Sequence, residues 1–446
     1  MASPNLEAKL IAPLRIIALL NSRRLKKFFM QTRILLPILF IFSFYTMALL
    51  AKVTVGIDVL LEDERQFEKL KGKKIGIVTN QTAINKEMRS TFELLKEKAK
   101  QYKIIALFAP EHGLFGSDYA EEKGKTSPIQ GVPVYSLYNE TKRPTAEMLH
   151  GIDLLIYDIQ DIGSRSYTYI STLFYVMEEA AKRNIKVMVL DRPNPINGIT
   201  IDGPLLDIKL RSIVGYINVP YCHGLTAGEL ATYFNAEYEV GCPLEVIPMK
   251  GWRRSMNFKD TGLPWIPTSP HIPEADTPLY YPITGILGEL GLVNIGVGYT
   301  LPFKLIGAPW IDATALAQYL NQQNLPGVHF TPFYFRPFYG KFVNENCQGT
   351  LITVEDSLKY KPVTTQYVII AALKHLYPEQ FKEGLKKASN RQKMFNQVLG
   401  TDKIWPLLSQ KRPIQWAMRN IDDKERKRFS DKRKAFLLIE YAGQPQ

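Results

Sequence analysis

Four apolar runs in the first half of this 446-residue chain lead into side chains that can do chemistry. "KKIGIVTNQT" reaches Thr79 and Asn80, and "YKIIALFAPEHG" reaches Glu111 and His112. "IDLLIYDIQD" reaches Asp158 and Asp161, and "IKVMVLDRPNP" reaches Asp191, Arg192 and Asn194. Carboxylates gathered in one pocket suit general acid–base work, where one group gives a proton and another takes one or faces developing charge. Glu111 is the leading candidate: Pro110 restricts Ala109 to extended geometry, which carries the strand up to the turn. For a single Glu, a solvated surface turn is the commoner explanation. Four run ends bearing carboxylates, Arg, His and Asn fit that explanation less well.

The other candidates each have a structural alternative. His112 is placed to bind substrate or to satisfy its own loop. Asp158 and Asp161 stand three apart in "YDIQDIGSRSYTYIST" and can turn to one side, where Arg165 can form an ion pair with one of them. Tyr167 and Tyr169 offer faces for a sugar ring or for the sheet. Arg192 and Asn194 lie in the Pro-stiffened "LDRPNPING", and His223 in "YCHGLTAGEL". There Thr226 is an expected N-cap, with Glu229 completing a capping box. Glu289 in "GILGEL" is a further carboxylate able to enter a cleft. The catalytic candidates are therefore Glu111, Asp161 and Glu289. The binding candidates are Asn80, His112, Asp158, Arg165, Tyr167, Tyr169, Arg192, Asn194 and His223.

These residues need elements to position them. From Lys73 onward apolar runs alternate with helical stretches, such as 86–100 and Thr168–Arg183, where Ile170, Leu173, Phe174, Met177 and Ala181 share a stripe. That alternation predicts an α/β fold, a parallel sheet with helices on both faces. In such sheets ligands bind beyond the carboxyl ends of the strands. After about residue 250 the texture changes: "GLPWIPTSPHIPEADTPLYYPITG" is Pro-rich and aperiodic, as a linker or cleft-lining loop would be. Mixed helix and strand patterns follow and predict a second, smaller α/β domain. The expected divisions are 1–51, 53–262 and 263–446.

The chain carries a formal charge of +13, but residues 1–51 hold seven of its Lys and Arg against one Glu. The mixed-charge run from Asp422 to Lys434 reads as a solvated helix face, and no nucleic-acid partner is expected. Arg23, Arg24, Lys26, Lys27 and Arg33 precede the uncharged Ile34–Ala51 run, with Thr46-Met47-Ala48 as a small-x-small site. This pattern predicts an export signal, or else a membrane anchor through that segment, and a periplasmic or extracellular enzyme. Cys222, Cys242 and Cys347 lack the spacing of a zinc site or redox motif. G-x-G-x-x-G, the P-loop, H-E-x-x-H and G-x-S-x-G are all absent, so no metal or nucleotide cofactor is expected.

The ordered segments "TNQT", "LFAPEHGLFG", "GVPVYSLY", "YDIQDIGSRSYTYIST", "LDRPNPING", "HGLTAGELATYFN", "PMKGW", "TGLPW" and "GAPWID" resemble one bacterial family. From about Val53 to Tyr441 the chain is similar to the exo-β-N-acetylmuramidases of the NamZ type, long known as an uncharacterised-domain family. The resemblance implies a Rossmann-like N-terminal domain carrying the active site and a smaller C-terminal domain closing a cleft. It implies hydrolysis of terminal N-acetylmuramic acid from the non-reducing end of peptidoglycan fragments, without a cofactor. It places the family's catalytic carboxylate at Glu111; read as glycoside hydrolysis, the residues then offer Asp161, Asp158 or Glu289 as its partner. Arg165, Arg192, His112 or His223 would hold the sugar's lactyl carboxylate. Two departures stand out: Ser164 and Ser166 replace the family's usual Ala and Phe. A family segment with Gly-Arg-Gly reads "GELGLVNIGVGYTLPF" here. Altered sugar specificity, or a non-catalytic peptidoglycan-binding module, is therefore the rival reading. A metal-dependent amidase using His112, Asp161 and His223 is a weaker one.

Overall fold

The computed structural model describes residues 53–118, 127–138, 140–410, 414, 418 and 420–442. The expected export segment lies outside these residues. Among the described residues no helix is long and apolar enough to cross a membrane.

The strands, in chain order, are β1 (Lys74–Thr79), β2 (Lys103–Ala109), β3 (Val134–Ser136), β4 (Leu154–Asp158), β5 (Lys186–Leu190), β6 (Asp202–Leu205), β7 (Pro220–Cys222), β8 (Leu244–Ile247), β9 (Leu305–Ala308), β10 (Val328–Phe335) and β11 (Cys347–Val354). The first sheet has the order β3-β2-β1-β4-β5-β8, and every neighbouring pair is parallel. A parallel sheet is covered on both faces, so its strands read as continuous apolar runs; all five residues of β4 are buried. Alternate residues feed two cores. Ile75, Ile77, Leu154 and Ile156 face one side, against helices α1 (Gly56–Glu62) and α2 (Thr91–Glu97). Val78, Phe108, Leu155 and Tyr157 face the other, against α3 (Thr168–Ala181) and α4 (Ala227–Glu237).

Helix α2 is shorter than the expected 86–100. Asn85 accepts backbone hydrogen bonds from Glu87 and Arg89, which makes a turn before Ser90 caps the helix. The expected cap at Thr226 is present: its hydroxyl accepts from the Glu229 amide while Glu229 reaches back to the Thr226 amide. "PTAEMLHG", expected as a short helix, forms turns only.

The Pro-rich stretch divides in two. Its first part is a loop as expected, but from Thr277 it becomes helix α5 (Thr277–Leu290). Pro278 suits the first turn, where an amide would lack a partner anyway, whereas Pro282 forfeits one helical hydrogen bond. Beyond lie a three-stranded antiparallel sheet, β10-β11-β9, and helices α6 (Ala313–Asn321), α7 (Pro362–Leu376), α8 (Pro378–Lys387), α9 (Gln392–Leu399) and α10 (Asp423–Lys432). The apolar layer over α3 and α4 continues without a break into Ile283, Leu287, Leu316, Ile352 and Ile369. The second part of the chain thus shares a core with the first.

Candidate active site

The carboxyl ends of the parallel strands do lie together, but most of their polar groups satisfy one another. Strand order reverses between β1 and β4, the usual position of a ligand crevice. Here that crevice is filled. Asp158, fully buried, accepts two hydrogen bonds from the Arg192 guanidinium and one from the Thr91 hydroxyl. Arg192 also donates to the Ile84 carbonyl. Asn80 folds over its own turn, accepting from the Thr82 amide and hydroxyl. Trp265 and its Pro-rich neighbours close over Arg192 and Gln160, leaving a cavity of about 10 Å³.

Three further binding candidates are withdrawn from any cleft. Arg165 does not pair with Asp158 or Asp161. It is buried and donates to four carbonyls, those of Pro204, Val219, Val398 and Leu399. Asn194 bridges the Leu225 carbonyl and the Ile196 amide. His223 accepts from the Leu225 amide, and burial pushes its pKa down to about 3, so it is neutral. The arrangement of His112, Asp161 and His223 needed by a metal-dependent amidase is not formed. No group of three or more His, Cys, Asp and Glu among the described residues could hold a metal ion.

The open cleft lies to one side, between the ends of β2 and α3 and the face of α5, and encloses about 1100 Å³. Glu111 and Glu289 both line it. Glu111 is buried at the tip of the β2 loop, and its Oε2 accepts from the Thr168 hydroxyl at 2.6 Å. Thr168 opens α3, so the carboxyl is anchored to a helix start whose amides carry partial positive charge. His112 adopts a left-handed backbone (φ 68°), and its Nδ1 lies 2.8 Å from the Asp118 carbonyl, which fixes the loop behind Glu111.

Helix α5 supplies the facing wall. Tyr281, Gly285 and Glu289 recur every four residues, which places them on one stripe. Burial raises the Glu289 pKa, and the Arg391 guanidinium works against that rise. Tyr281 is within electrostatic reach of both Glu289 and Glu111. Its hydroxyl lies 3.3 Å from Ser166 Oγ, which is also 2.7 Å from the Tyr221 hydroxyl. Ser166, one of the departures from the family pattern, therefore joins a hydroxyl cluster at the cleft floor. Tyr167 lines the cleft and donates to Thr268 Oγ1, while Tyr169 is fully buried and holds the Thr268 carbonyl.

Asp161 does not line the cleft. One oxygen accepts from the Gly163 amide, the other has no partner among the described residues, and burial raises its pKa to about 7.

Sequence reasoning missed Thr168 and His271, and it gave no site role to Ser166, seen only as a departure from the family pattern, or to Tyr281, seen only as one of several aromatic faces. The four-residue spacing from Tyr281 to Glu289 was the available signal, and the Pro-rich texture hid it. His271 lines the cleft and meets the Tyr339 hydroxyl at 2.7 Å, which joins the Pro-rich loop to the β10–β11 hairpin. The altered segment docks the same hairpin. Gly296 and Gly298 have φ of 84° and 92°, and a Cβ on Gly298 would sit 2.0 Å from the Tyr339 carbonyl.

A parallel α/β sheet, a smaller antiparallel sheet and an open cleft lined by Glu111, Glu289 and Glu383 define the class: a two-part α/β protein with carboxylates in its cleft. The chain belongs to the exo-β-N-acetylmuramidase NamZ family, whose N-terminal model matches residues 75–276 and whose C-terminal model matches 279–439. It is 41% identical over 389 residues to the peptidoglycan β-N-acetylmuramidase NamZ of Bacillus subtilis (strain 168), covering 87% of this chain and 91% of that one. A crystal structure of a DUF1343 family protein from Bacteroides fragilis NCTC 9343 is similar at a TM-score of 0.78 and 41% identity, over 85% of this chain and 98% of that chain. A second DUF1343 structure from the same organism gives 0.66 and 28%, over 88% and 100%.

Proposed function

We propose that this protein is an exo-acting glycoside hydrolase that releases terminal N-acetylmuramic acid from the non-reducing end of peptidoglycan fragments. The observation carrying this reading is that Glu111 and Glu289 line one cleft in a chain of the NamZ family. Glu111 protonates the glycosidic oxygen as the bond to C1 breaks. Thr168 holds its Oε2, which leaves Oε1 to face the substrate. Glu289 is the anionic partner, facing the oxocarbenium-like charge at C1 while water adds there. Arg391 beside it favours the ionised form.

The hydroxyls of Ser166 and Tyr281 offer hydrogen bonds to the sugar, and Tyr167 offers a ring face. Because the substrate is cell-wall material, the basic and apolar stretch before Val53 is read as an export signal, with action outside the cytoplasmic membrane. Intact mass of the exported protein tests that: a chain still beginning at Met1 or Met30 would be uncleaved.

The direct test of activity is release of a chromogenic aglycone from a β-N-acetylmuramic acid glycoside. Turnover by the wild type and its collapse in Glu111→Gln are expected. Equal rates in the two proteins would remove Glu111 from this role.

A further inference from the structure

Three exposed cations also wall the cleft, and of these only Arg391 has a part in the chemistry above, through Glu289. Lys387 ends α8, Arg391 lies four residues on in a following turn of 3₁₀ helix, and Lys341 comes from the β10–β11 hairpin; all three line the cleft. Lys387 and Arg391 both lie within electrostatic reach of Lys341. Lys341 is delivered by a built loop. Asn294 Nδ2 donates to the Lys341 carbonyl at 2.8 Å and to the Val297 carbonyl at 3.1 Å, and the Phe338 amide donates to the Gly298 carbonyl.

Acids do not fully match these charges. Lys387 pairs with Glu383 at 2.6 Å, and Glu289 lies in the field of Arg391. Glu345 acts on Lys341 only weakly, as the last of four influences. Arg391 and Lys341 make no ion pair or side-chain hydrogen bond among the described residues. Desolvation, then repulsion from Lys387 and Arg391, hold the Lys341 ammonium below its usual range. Crowding like charges in a cleft costs energy that a bound anion recovers.

The geometry points to a carboxylate subsite made by Arg391, Lys341 and Lys387, which takes the anionic arm at C3 of the terminal sugar while Glu111 addresses C1. This deepens the proposed function and rests on it. The carboxylate is either the free lactyl group or one carried by a peptide attached to it.

The test is calorimetric binding of N-acetylmuramic acid, its N-acetylmuramoyl dipeptide and N-acetylglucosamine, which lacks the arm. Wild type, Arg391→Gln and Lys341→Met are compared. Loss of one charged hydrogen bond predicts roughly tenfold weaker binding of N-acetylmuramic acid in each variant, with N-acetylglucosamine unmoved. An equal loss for the dipeptide assigns the site to peptide carboxylates as well, and a loss confined to the free acid assigns it to the lactyl group. Unchanged binding of both acids in the two variants, or wild-type affinity equal for acid and neutral sugar, overturns the subsite. The hydrolysis assay is read separately: binding intact without turnover sinks the catalytic reading and leaves the subsite standing.

Discussion

At the scale of single residues, three carboxylates line the cleft, Glu111, Glu289 and the Lys387-paired Glu383, and a fourth, Asp161, is buried outside it. General acid catalysis contributes about 10²–10⁴-fold, so Glu111→Gln is expected to lower kcat by that order with KM little changed. Steady-state kinetics on the muramic acid glycoside will read it. The proposed role needs Glu289 ionised, and burial raises its pKa, so the acidic limb of the pH–rate profile should stand above the ordinary glutamate range. Arg391→Gln removes the opposing charge and should move that limb to still higher pH. Asp161 makes a different prediction. Its folded pKa of about 7 exceeds the unfolded value of 3.8, so the fold favours the protonated form. The stability it contributes is full below about pH 4 and lost as pH rises through about 7. Asp161→Asn should therefore raise the urea midpoint at pH 8 and leave it nearly unchanged at pH 4. Loss of turnover in this variant would return Asp161 to the chemistry.

At the scale of elements, loops held by glycine and polar caps decide what reaches the cleft. Helix α5 carries Glu289 and Tyr281 on one stripe, and the Gly296–Gly298 turn docks the hairpin that brings Lys341 in. Gly298→Ala places a methyl 2.0 Å from a backbone carbonyl at a φ of 92°. The hairpin should lift, with KM for the muramic acid glycoside rising several-fold and faster proteolysis within 336–346. At the start of α4, Thr226 caps the helix and also donates to Asp191 at 2.7 Å. Thr226→Ala should cost about 1–2 kcal/mol in denaturant unfolding, with kcat of the folded protein unchanged.

For the whole molecule, one residue read as a substrate ligand, Arg165, turns out to tie the two parts together. Arg165 leaves the segment after β4 and bonds carbonyls at the end of α9, more than two hundred residues on. A Cβ on Gly400 would sit 2.1 Å from its guanidinium, so a glycine there leaves room for the tie. Tyr441 returns to the end of β5, donating to Asp191 at 2.6 Å and accepting from the Met249 amide. Arg165→Met would strand several buried carbonyls, at about 1–3 kcal/mol each before relaxation. A lower thermal midpoint, rather than a selective rise in KM, is expected.

Local pattern alone determined much of this protein. The parallel sheet follows from uniformly apolar strands, the α4 capping box from Thr226 and Glu229 at the right spacing, and the place of Glu111 at a strand end from Pro110. The motif order carried the family. Tertiary structure decided which polar strand ends stay open. Asp158 and Arg192, or Arg165 and the carbonyls of α9, meet only after folding, and sequence spacing cannot distinguish a cation held by its own fold from one awaiting a ligand. A buried charge must find a partner. In Arg165 and Arg192 the fold supplies it; Arg391 and Lys341 are exposed at the cleft wall, where solvent can meet the charge.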